Sequence, residues 1–441
     1  MSDINTTALK TLGYDAAKLM PLYDVLDRVQ EYMSVRYSDI FSDPDAGLLK
    51  SYIQQYLIEQ KLGAEGFTLS ELVERLYWET AAYSFLTPFL DGSIPVEEIN
   101  VNGYNCVKIR YPGGEQETYR EHFRNATHSS DVLKRLLHRS GMIIDNAQPL
   151  TRGHLGKNIR VTVMSPPVTD EDVGVVASIR FVNPRKLKRE NFIEYKTATA
   201  EMLDFIAFVI RHGVSVCVAG ATNSGKTTLM SWAMSLLPDD LRVYTIENGV
   251  REFDLVKKEN DIVTNDIIHT VTRASDDPAQ NIDQEKLLEF ALTMNPDVIC
   301  VGEMKSSEAF AAQEAARTGH TVLTTIHANS CEATYRRMVT LCKTRYDMDD
   351  GTLYDLVTEA FPIVIFAKLH ADGSRRITEI TEMEIMQEQT RRLRVLYRFD
   401  TSREFRKMHD ISKSLQRQLV ANEVPVDELT RFLKNGLEVD L

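Results

Sequence analysis

The chain has 441 residues, a hydrophobic fraction of 43% and a formal net charge of -13. The length predicts about two to four domains, and the acidic balance argues against sequence-independent nucleic-acid binding, which needs a basic surface. The five cysteines are scattered and form no C-x-x-C pair, so we expect a reducing compartment with neither a disulfide framework nor a zinc site.

The amino terminus, Met1–Asn5, lacks the charged and then apolar pattern of a signal peptide. No apolar run approaches the length that spans a membrane. We therefore expect a cytoplasmic protein whose membrane contact is peripheral or made through partners.

Residues 1–86 are predicted to form a helical segment. Leu49, Ile53 and Leu57 recur at helical spacing. Thr68 is followed three residues later by Glu71, which has the form of a helix capping box. We expect these helices to pack on a neighbour and assign them no catalytic role.

Residues 87–183 change to short strands separated by Gly and Asn turns, which predicts a small α+β domain. Its strand candidates include Val107–Tyr111, Ile159–Val163 and Val175–Phe181. Residues 184–195 follow as a predicted linker. We interpret the basic run Pro184–Glu190 as a solvated segment, with a lysine-rich phosphate patch as the alternative.

Residues 196–441 alternate strands with helices, which predicts an α/β domain with a doubly wound parallel sheet. The strand candidates are Val214–Ala219, Leu241–Ile246, Val298–Val301, Thr321–Ile326 and, further along, Arg394–Phe399. Polar helices with apolar positions such as Leu415 and Leu419 are predicted to close the chain.

A complete phosphate-binding loop follows the first of these strands and opens a helix. Glycines let backbone N–H groups curl around phosphates, and the helix start adds partial positive charge. Lys226 would reach the β- and γ-phosphates, and the hydroxyl of Thr227 would bind Mg²⁺. The sequence therefore predicts binding of a nucleoside triphosphate such as ATP. The predicted ligands of the nucleotide are Gly220, Ala221, Thr222, Asn223, Ser224, Gly225, Lys226, Thr227 and Thr228.

Carboxylates follow two of the other predicted strands. Val298–Val301 leads into Gly302 and Glu303, the pattern of a Walker B strand, and Glu303 would bind Mg²⁺ directly or through water. Glu247 and Glu252 follow the strand Leu241–Ile246 and are candidates to orient the water that attacks the γ-phosphate. We favour Glu252 as the base and Glu247 as its support.

Two histidines flank the strand Thr321–Ile326. His327 ends the strand that would follow Walker B, so we predict that it senses the γ-phosphate. His320 precedes the strand and is a second candidate for nucleotide binding. For both, a satisfied core histidine is the alternative.

These motifs, in this order, resemble those of the secretion-superfamily ATPases, the motors of type II secretion, type IV pili and conjugative type IV secretion. The family's Walker A, acidic box, Walker B and histidine box are similar to residues 220–227, 247–252, 298–303 and 319–327. Residues 96–103 also resemble a segment of the Flp-type tight-adherence pilus ATPases and their conjugative relatives. Arg160 and Arg180 look like the arginines that reach nucleotide phosphates in that branch.

The chain departs from the family pattern at three places. Asn248 stands where an Asp is usual, Lys305 replaces a usual Arg, and the spacing to Glu252 is one residue longer. Asn248 does not change the prediction that the chain binds a nucleotide. It leaves open whether the chain hydrolyses ATP at the rate of a motor or at the lower rate of an ATP-gated module.

The resemblance implies an α/β fold: a RecA-like P-loop motor domain preceded by a small α+β N-terminal domain and an N-terminal helical segment. It implies a homohexamer that hydrolyses ATP with Mg²⁺ to power pilus assembly or protein secretion across the bacterial inner membrane. An inner-membrane platform protein is the expected partner, and no direct sequence-specific nucleic-acid binding is expected. The alternatives are a slow ATP-gated assembly module and a conjugative DNA-transfer traffic ATPase.

Overall fold

The chain folds into two compact units, Met1–Pro184 and Arg185–Leu441. The computed structural model describes residues 18–36, 46–112, 114–156, 158–181, 187–249, 251–273, 278–386 and 390–433. The basic residues 184–186 of the predicted linker lie outside these ranges. Within them, no helix combines the length and the apolar character needed to cross a membrane.

The first unit has a helical part followed by a sheet. Its elements are β1 (Lys18–Met20), α1 (Leu22–Arg36), α2 (Ala46–Glu59), β2 (Leu62–Ala64), α3 (Leu69–Thr80), α4 (Thr87–Leu90), β3 (Glu98–Val101), β4 (Val107–Arg110), β5 (Gln116–Thr118), α5 (Ala126–His138), β6 (Leu150–Leu155), β7 (Ile159–Met164) and β8 (Val176–Phe181).

The helical part follows its sequence pattern. Leu49, Ile53 and Leu57 are the buried residues of α2, as their spacing predicts. Thr68 caps α3: its side chain accepts a hydrogen bond from the N–H of Glu71, and the Glu71 carboxylate accepts one from the N–H of Thr68 at 2.8 Å. The predicted capping box is therefore confirmed.

The sheet of the first unit is antiparallel, with strand order β5-β4-β3-β8-β7-β6. Val161, Val163 and Ile179 belong to its buried core. Because successive residues of a strand point to opposite faces, the polar residues between them share the other face. There Arg160 lies directly opposite Arg180.

The second unit is built on one large sheet. Its elements are α6 (Arg189–Glu194), α7 (Ala200–Arg211), β9 (Val216–Gly220), α8 (Lys226–Met234), β10 (Val243–Glu247), β11 (Lys258–Glu259), β12 (Ile262–Val263), β13 (Ile267–Val271), α9 (Gln284–Thr293), β14 (Val298–Met304), α10 (Glu308–Arg317), β15 (Thr321–Ile326), α11 (Cys331–Cys342), α12 (Asp350–Ala360), β16 (Ile363–Leu369), β17 (Arg375–Ile385), β18 (Arg391–Phe399), β19 (Phe405–Lys407), α13 (Lys413–Ala421) and α14 (Val426–Thr430).

This sheet has the strand order β13-β10-β14-β15-β9-β16-β17-β18-β19. The strands from β13 to β16 are parallel, and those from β16 to β19 are antiparallel. Every residue of β9, β10 and β15 is buried, because helices cover both faces of the parallel part. The predicted α/β class is confirmed, and the sheet is mixed because later strands extend it.

The second unit includes residues that the sequence assigned to a linker. Helix α6 lies within the predicted linker, and Phe192 on it is buried in the core of this unit. Its ring packs against that of Trp232, with 5.3 Å between ring centroids. The described residues from Leu187 onwards therefore belong to the folded unit.

Candidate nucleotide-binding site

The phosphate-binding loop, residues 220–227, connects β9 to α8 at the carboxyl edge of the parallel strands. A Cβ on Gly220 would lie 2.2 Å from the carbonyl oxygen of Ala367 and 2.5 Å from Oγ of Ser224. Gly225 has a φ of 91°, a left-handed conformation that favours glycine. The shape of the loop therefore requires glycine at both positions.

Two polar side chains of the loop are buried beneath it. Nζ of Lys226 donates a hydrogen bond to the carbonyl oxygen of Ala221 at 2.9 Å. Oγ of Ser224 is buried and has no hydrogen-bond partner among the described residues. Phosphate oxygens would supply acceptors for both groups. The loop therefore fits a phosphate chain.

The fold brings three other predicted site residues of this unit to the same edge of the sheet. Glu247 is the last residue of β10, Glu303 lies near the end of β14, and His327 directly follows β15. The strands β10, β14, β15 and β9 are neighbours in that order. Because parallel strands end at a common edge, these side chains meet beside the loop. Thr227 and Thr228 lie in the first turn of α8.

Glu303 and His327 form a pair. Nε2 of His327 lies 2.9 Å from Oε1 of Glu303. Burial, and then the positive charge of Lys226, lower the pKa of His327, although Glu303 and a hydrogen bond with the backbone of Gly220 act in the opposite direction. The lowered pKa favours the neutral form of the imidazole. A neutral imidazole can donate its ring N–H to the carboxylate beside the phosphate-binding lysine.

The carboxylate of Glu247 holds the turn that follows β10. The side chain is buried, and its Oε2 accepts hydrogen bonds from the backbone N–H groups of Glu252 and of Phe253, the latter at 2.8 Å. Its Oε1 accepts one from Oγ1 of Thr245 at 3.1 Å. Glu252 is half-buried. This geometry favours Glu252 over Glu247 as the group that can reach a substrate.

The acidic box and the Walker B strand approach closely because of a glycine. A Cβ on Gly302 would lie 3.3 Å from the carbonyl oxygen of Ile246 and 3.6 Å from Cγ of Glu247. Oγ1 of Thr325, on β15, donates a hydrogen bond to the carbonyl oxygen of Gly302 at 2.7 Å. Because Gly302 has no side chain, the neighbouring strands β10, β14 and β15 can lie close together at the site.

His269 belongs to this site, although the sequence analysis missed it. It lies opposite Thr245 on the neighbouring strand β13. Its Nδ1 is 2.8 Å from Oγ1 of Thr245 and 3.4 Å from Oε1 of Glu247. In the sequence it is one histidine in a strand pattern, without a motif, so only the pairing of β13 with β10 reveals it.

The two unusual residues of the motifs lie together beside the acidic box. Asn248 and Lys305 line a cavity of ≈ 230 Å³. Oδ1 of Asn248 accepts a hydrogen bond from Oγ1 of Thr272 at 2.9 Å, and the backbone N–H of Lys305 donates one to Glu308 at 2.5 Å. Both residues therefore help to shape the loops around this cavity.

Arg160 and Arg180 lie together in the first unit. They are opposite each other on β7 and β8, and Arg180 is also opposite Glu98 on β3. His154 faces Arg160 from β6, and its pKa is lowered by burial and then by the charge of Arg160. The structure thus places these arginines as a basic pair on one face. Their contact with phosphates stays a prediction.

The expectation for His320 is corrected. His320 precedes β15, whereas the loop and His327 lie at the other end of the parallel strands. A strand of six residues separates the two histidines by about 20 Å. The structure therefore does not bring His320 to the loop of its own chain. Its Nδ1 is buried and lacks a hydrogen-bond partner within the described part of the chain.

Arg375 is a second residue that sequence reasoning missed. It begins β17, and its Nε donates a hydrogen bond to the carbonyl oxygen of Asn223 in the loop at 2.8 Å. The Asp372-Gly373 turn before it is typical of a hairpin. No local pattern indicates that this hairpin lies against the loop.

Comparison with known proteins links this site to one family. The sequence model of the family described as Type II/IV secretion system protein matches residues 151–414. The type IV secretion system protein PtlH of Bordetella pertussis is 32% identical over 178 residues, which are 39% of this chain and 51% of PtlH. The type IV secretion system protein VirB11 of Brucella suis is 31% identical over 236 residues, 50% of this chain and 63% of VirB11.

The chain spans 36% to 52% of the length of the first curated relatives that it matches. Among solved structures, that of the pilus retraction motor PilT with bound ADP matches 79% of this chain and 92% of its own. The identity is 18% and the TM-score is 0.44.

Proposed function

The chain belongs to the Type II/IV secretion system protein family, and from this premise we propose that it is a motor that hydrolyses ATP with Mg²⁺. A ring of six subunits would power pilus assembly or protein secretion across the bacterial inner membrane. One observation carries the enzymatic part: the phosphate-binding loop, the Glu303–His327 pair and the turn held by Glu247 share one edge of one sheet.

The loop would bind the triphosphate of ATP. Its buried Lys226 would exchange the carbonyl oxygen of Ala221 for phosphate oxygens, and Oγ of Ser224 would gain the acceptor that it lacks among the described residues. The lysine supplies a compact positive charge in a buried setting, where electrostatic interactions are stronger than in water.

Thr227 and Glu303 would hold Mg²⁺, either directly or through water. A hydroxyl and a carboxylate supply the oxygen ligands that this cation prefers. When bound, the cation neutralises charge on the phosphates. His327 would keep the Glu303 carboxylate oriented through their 2.9 Å contact and would detect the γ-phosphate beside Lys226.

Glu252 would accept the proton of the attacking water. A base of this kind needs an accessible carboxylate with a fixed backbone position. The hydrogen bond from the N–H of Glu252 to Glu247 supplies that position, and Thr245 and His269 support Glu247 in turn. Glu247 would therefore act through Glu252 and would not accept the proton itself.

Arg160 and Arg180 would bind phosphate oxygens. Residues that lie directly opposite each other on neighbouring strands have their side chains close together on one face, so both guanidinium groups could contact the same anion. A planar guanidinium can also stabilise charge that develops on a transferring phosphoryl group. The opposed register of the two arginines supports this role.

We further propose a cytoplasmic protein that associates with the inner membrane through a platform protein. The net charge of -13 disfavours a DNA-transfer role.

Steady-state phosphate release by the purified chain, with and without DNA, tests the function. We expect turnover that depends on Mg²⁺, is unaffected by DNA and is absent from Lys226→Ala. Turnover close to zero with intact ATP binding would instead favour the slow ATP-gated module, and stimulation by DNA would favour the traffic ATPase. Light scattering with an ATP analogue should give a mass near six protomers of 50.2 kDa. A strictly monomeric protein with full turnover would refute the ring.

A further inference from the structure

Arg375 lies along the phosphate-binding loop, although it is distant from the loop in sequence. Its Nε donates to the carbonyl oxygen of Asn223 at 2.8 Å, across a separation of 152 residues. A Cβ on Gly225 would lie 3.4 Å from Cδ of Arg375. The arginine side chain therefore follows the loop from Asn223 to Gly225.

The sheet explains this contact. Strand β16 pairs with β9, with Ala367 opposite Gly220, and β17 pairs with β16, with Arg375 opposite Leu369. The turn between β16 and β17 therefore lies at the edge of the sheet where the loop begins. Because the pairing of both strands fixes the backbone of Arg375, its side chain starts from a defined position.

The neighbouring Arg376 has different contacts. It lies 3.4 Å from the carboxylate of Asp372 and 5.2 Å from the ring centroid of Phe399. Successive residues of a strand point to opposite faces. Arg375 and Arg376 thus carry the same charge and follow the same turn, but they contact different groups. The carbonyl oxygen of Asn223 in the loop is a partner of Arg375, so Arg376 can serve as a matched control.

The shape of the loop explains why the carbonyl oxygen of Asn223 needs a hydrogen-bond donor. To bind phosphate, the N–H groups of the loop must turn inward, and this arrangement turns carbonyl groups outward. Asn223 has a φ of 62°, in the left-handed region that asparagine adopts more readily than most residues with a side chain. The hydrogen bond from Arg375 to its carbonyl oxygen stabilises this conformation.

We propose that Arg375 is a positioning residue of the nucleotide site. Through the carbonyl of Asn223, it holds the loop in the conformation that binds a triphosphate. The inference rests on the proposed binding of ATP at this loop and extends the site to a residue outside the motif. Because Arg375 contacts the backbone of the loop, we expect its loss to change the affinity for ATP more than the chemical step.

Three variants of the full chain test this role. Arg375→Met removes both the charge and the donor, Arg375→Gln keeps an N–H donor at the position of Nε without the charge, and Arg376→Met removes the neighbouring charge. We expect Arg375→Met to raise the Kd and the KM for ATP about tenfold, with kcat at saturating ATP within about twofold of wild type. Arg375→Gln should recover most of the affinity, and Arg376→Met should keep it.

Fluorescence titration with a labelled ATP analogue, phosphate release and thermal unfolding supply the readouts. Wild-type affinity in Arg375→Met would overturn the inference. So would an Arg375→Gln as weak as Arg375→Met, because charge would then be the cause. A loss of affinity in Arg376→Met equal to that in Arg375→Met would point to the hairpin as a whole and would also overturn it. A wild-type chain that binds no ATP would instead refute the proposed function.

Discussion

Positive charge is arranged differently in the two units. In the second unit, Lys226 and Arg375 each donate a hydrogen bond to a carbonyl oxygen of the phosphate-binding loop, at 2.9 Å and 2.8 Å. In the first unit, Arg160 and Arg180 lie directly opposite each other on neighbouring strands, and Glu98 lies opposite Arg180. The second unit thus orders its cations on its own backbone, whereas the first unit places two arginines side by side on one face of a sheet.

Substitutions in the nucleotide site of the second unit should have the largest effect on ATP binding and hydrolysis. Lys226→Ala should abolish ATP binding, because the loop loses its point charge. Glu303→Gln should keep ATP binding but reduce hydrolysis about a thousandfold, because the amide no longer offers the negative charge that favours Mg²⁺ at this position. Calorimetric titration and phosphate release separate the two losses. Turnover near the wild-type rate in Glu303→Gln would exclude its assigned role.

The next variants distinguish the roles of Glu252 and Glu247 in the acidic box. Glu252→Gln should lower kcat about a hundredfold or more while the fold is kept, because the base is removed. Glu247→Gln should lower the melting temperature as well, because its carboxylate accepts hydrogen bonds that hold the turn. Parallel measurements of kcat and thermal unfolding make the distinction. A fully active Glu252→Gln beside an inactive Glu247→Gln would reverse the assignment.

The arginine pair of the first unit predicts a different signature. Arg160→Ala and Arg180→Ala should each lower turnover by about ten- to a hundredfold. Because Arg160 is half-buried and Arg180 is exposed, neither substitution should change the melting temperature much. Arg152, opposite Thr162 on the same polar face, supplies a control, and Arg152→Ala should keep its activity. If all three variants behave alike, the arginine pair has no special function.

The two units also differ in which protonation state of a buried glutamate they stabilise. Burial tends to raise the pKa of Glu79 in the first unit, but the imidazole of His128, 3.1 Å away, and the charge of Arg75 outweigh it and hold the pKa below its ordinary value. In the second unit, burial raises the pKa of Glu382 to about 7, against hydrogen bonds from Ser412. The first acid is stabilised in its charged form, and the second in its protonated form.

The smallest predicted effect concerns Glu382. Since its folded pKa exceeds its unfolded value, the folded state binds more protons, and stability falls as the pH rises through the range between the two pKa values. Going from about pH 5 to about pH 8, this group should cost up to about 2 kcal/mol of unfolding free energy. Glu382→Gln should flatten that dependence in denaturant titrations. An unchanged pH profile would exclude Glu382 as its source.

Much of the second unit could be predicted because its signals are local. A strand of buried apolar residues, a glycine-rich turn and a helix start are adjacent in sequence, so the loop at residues 220–227 needed no distant information. Glu303 and His327 each follow a strand that the apolar residues of the sequence predict. The direction of parallel strands then brings them to one edge.

His320, Glu247 and Arg375 could not be placed in this way. The sequence predicts the strand between His320 and His327, but only its parallel pairing with β9 shows that His327, and not His320, lies at the edge that carries the loop. The hydrogen bonds of Glu247 depend on how the turn after β10 folds back on it. The contact of Arg375 depends on β16 and β17 joining the sheet beside β9, and hydrophobic periodicity carries no information on strand order.

The sequence by itself determined the class of the second unit, the loop that fits a triphosphate and the capping box of α3, because each depends on residues within a few positions of one another. The tertiary structure alone decided that Glu247 supports Glu252, that His269 stands behind it, that His320 lies at the opposite edge and that Arg375 contacts the loop. The reason is physical: these features depend on which strands pair and in which direction, or on how a turn folds back on its own strand. Which strands become neighbours is set by the packing of the whole unit, and no single segment specifies it.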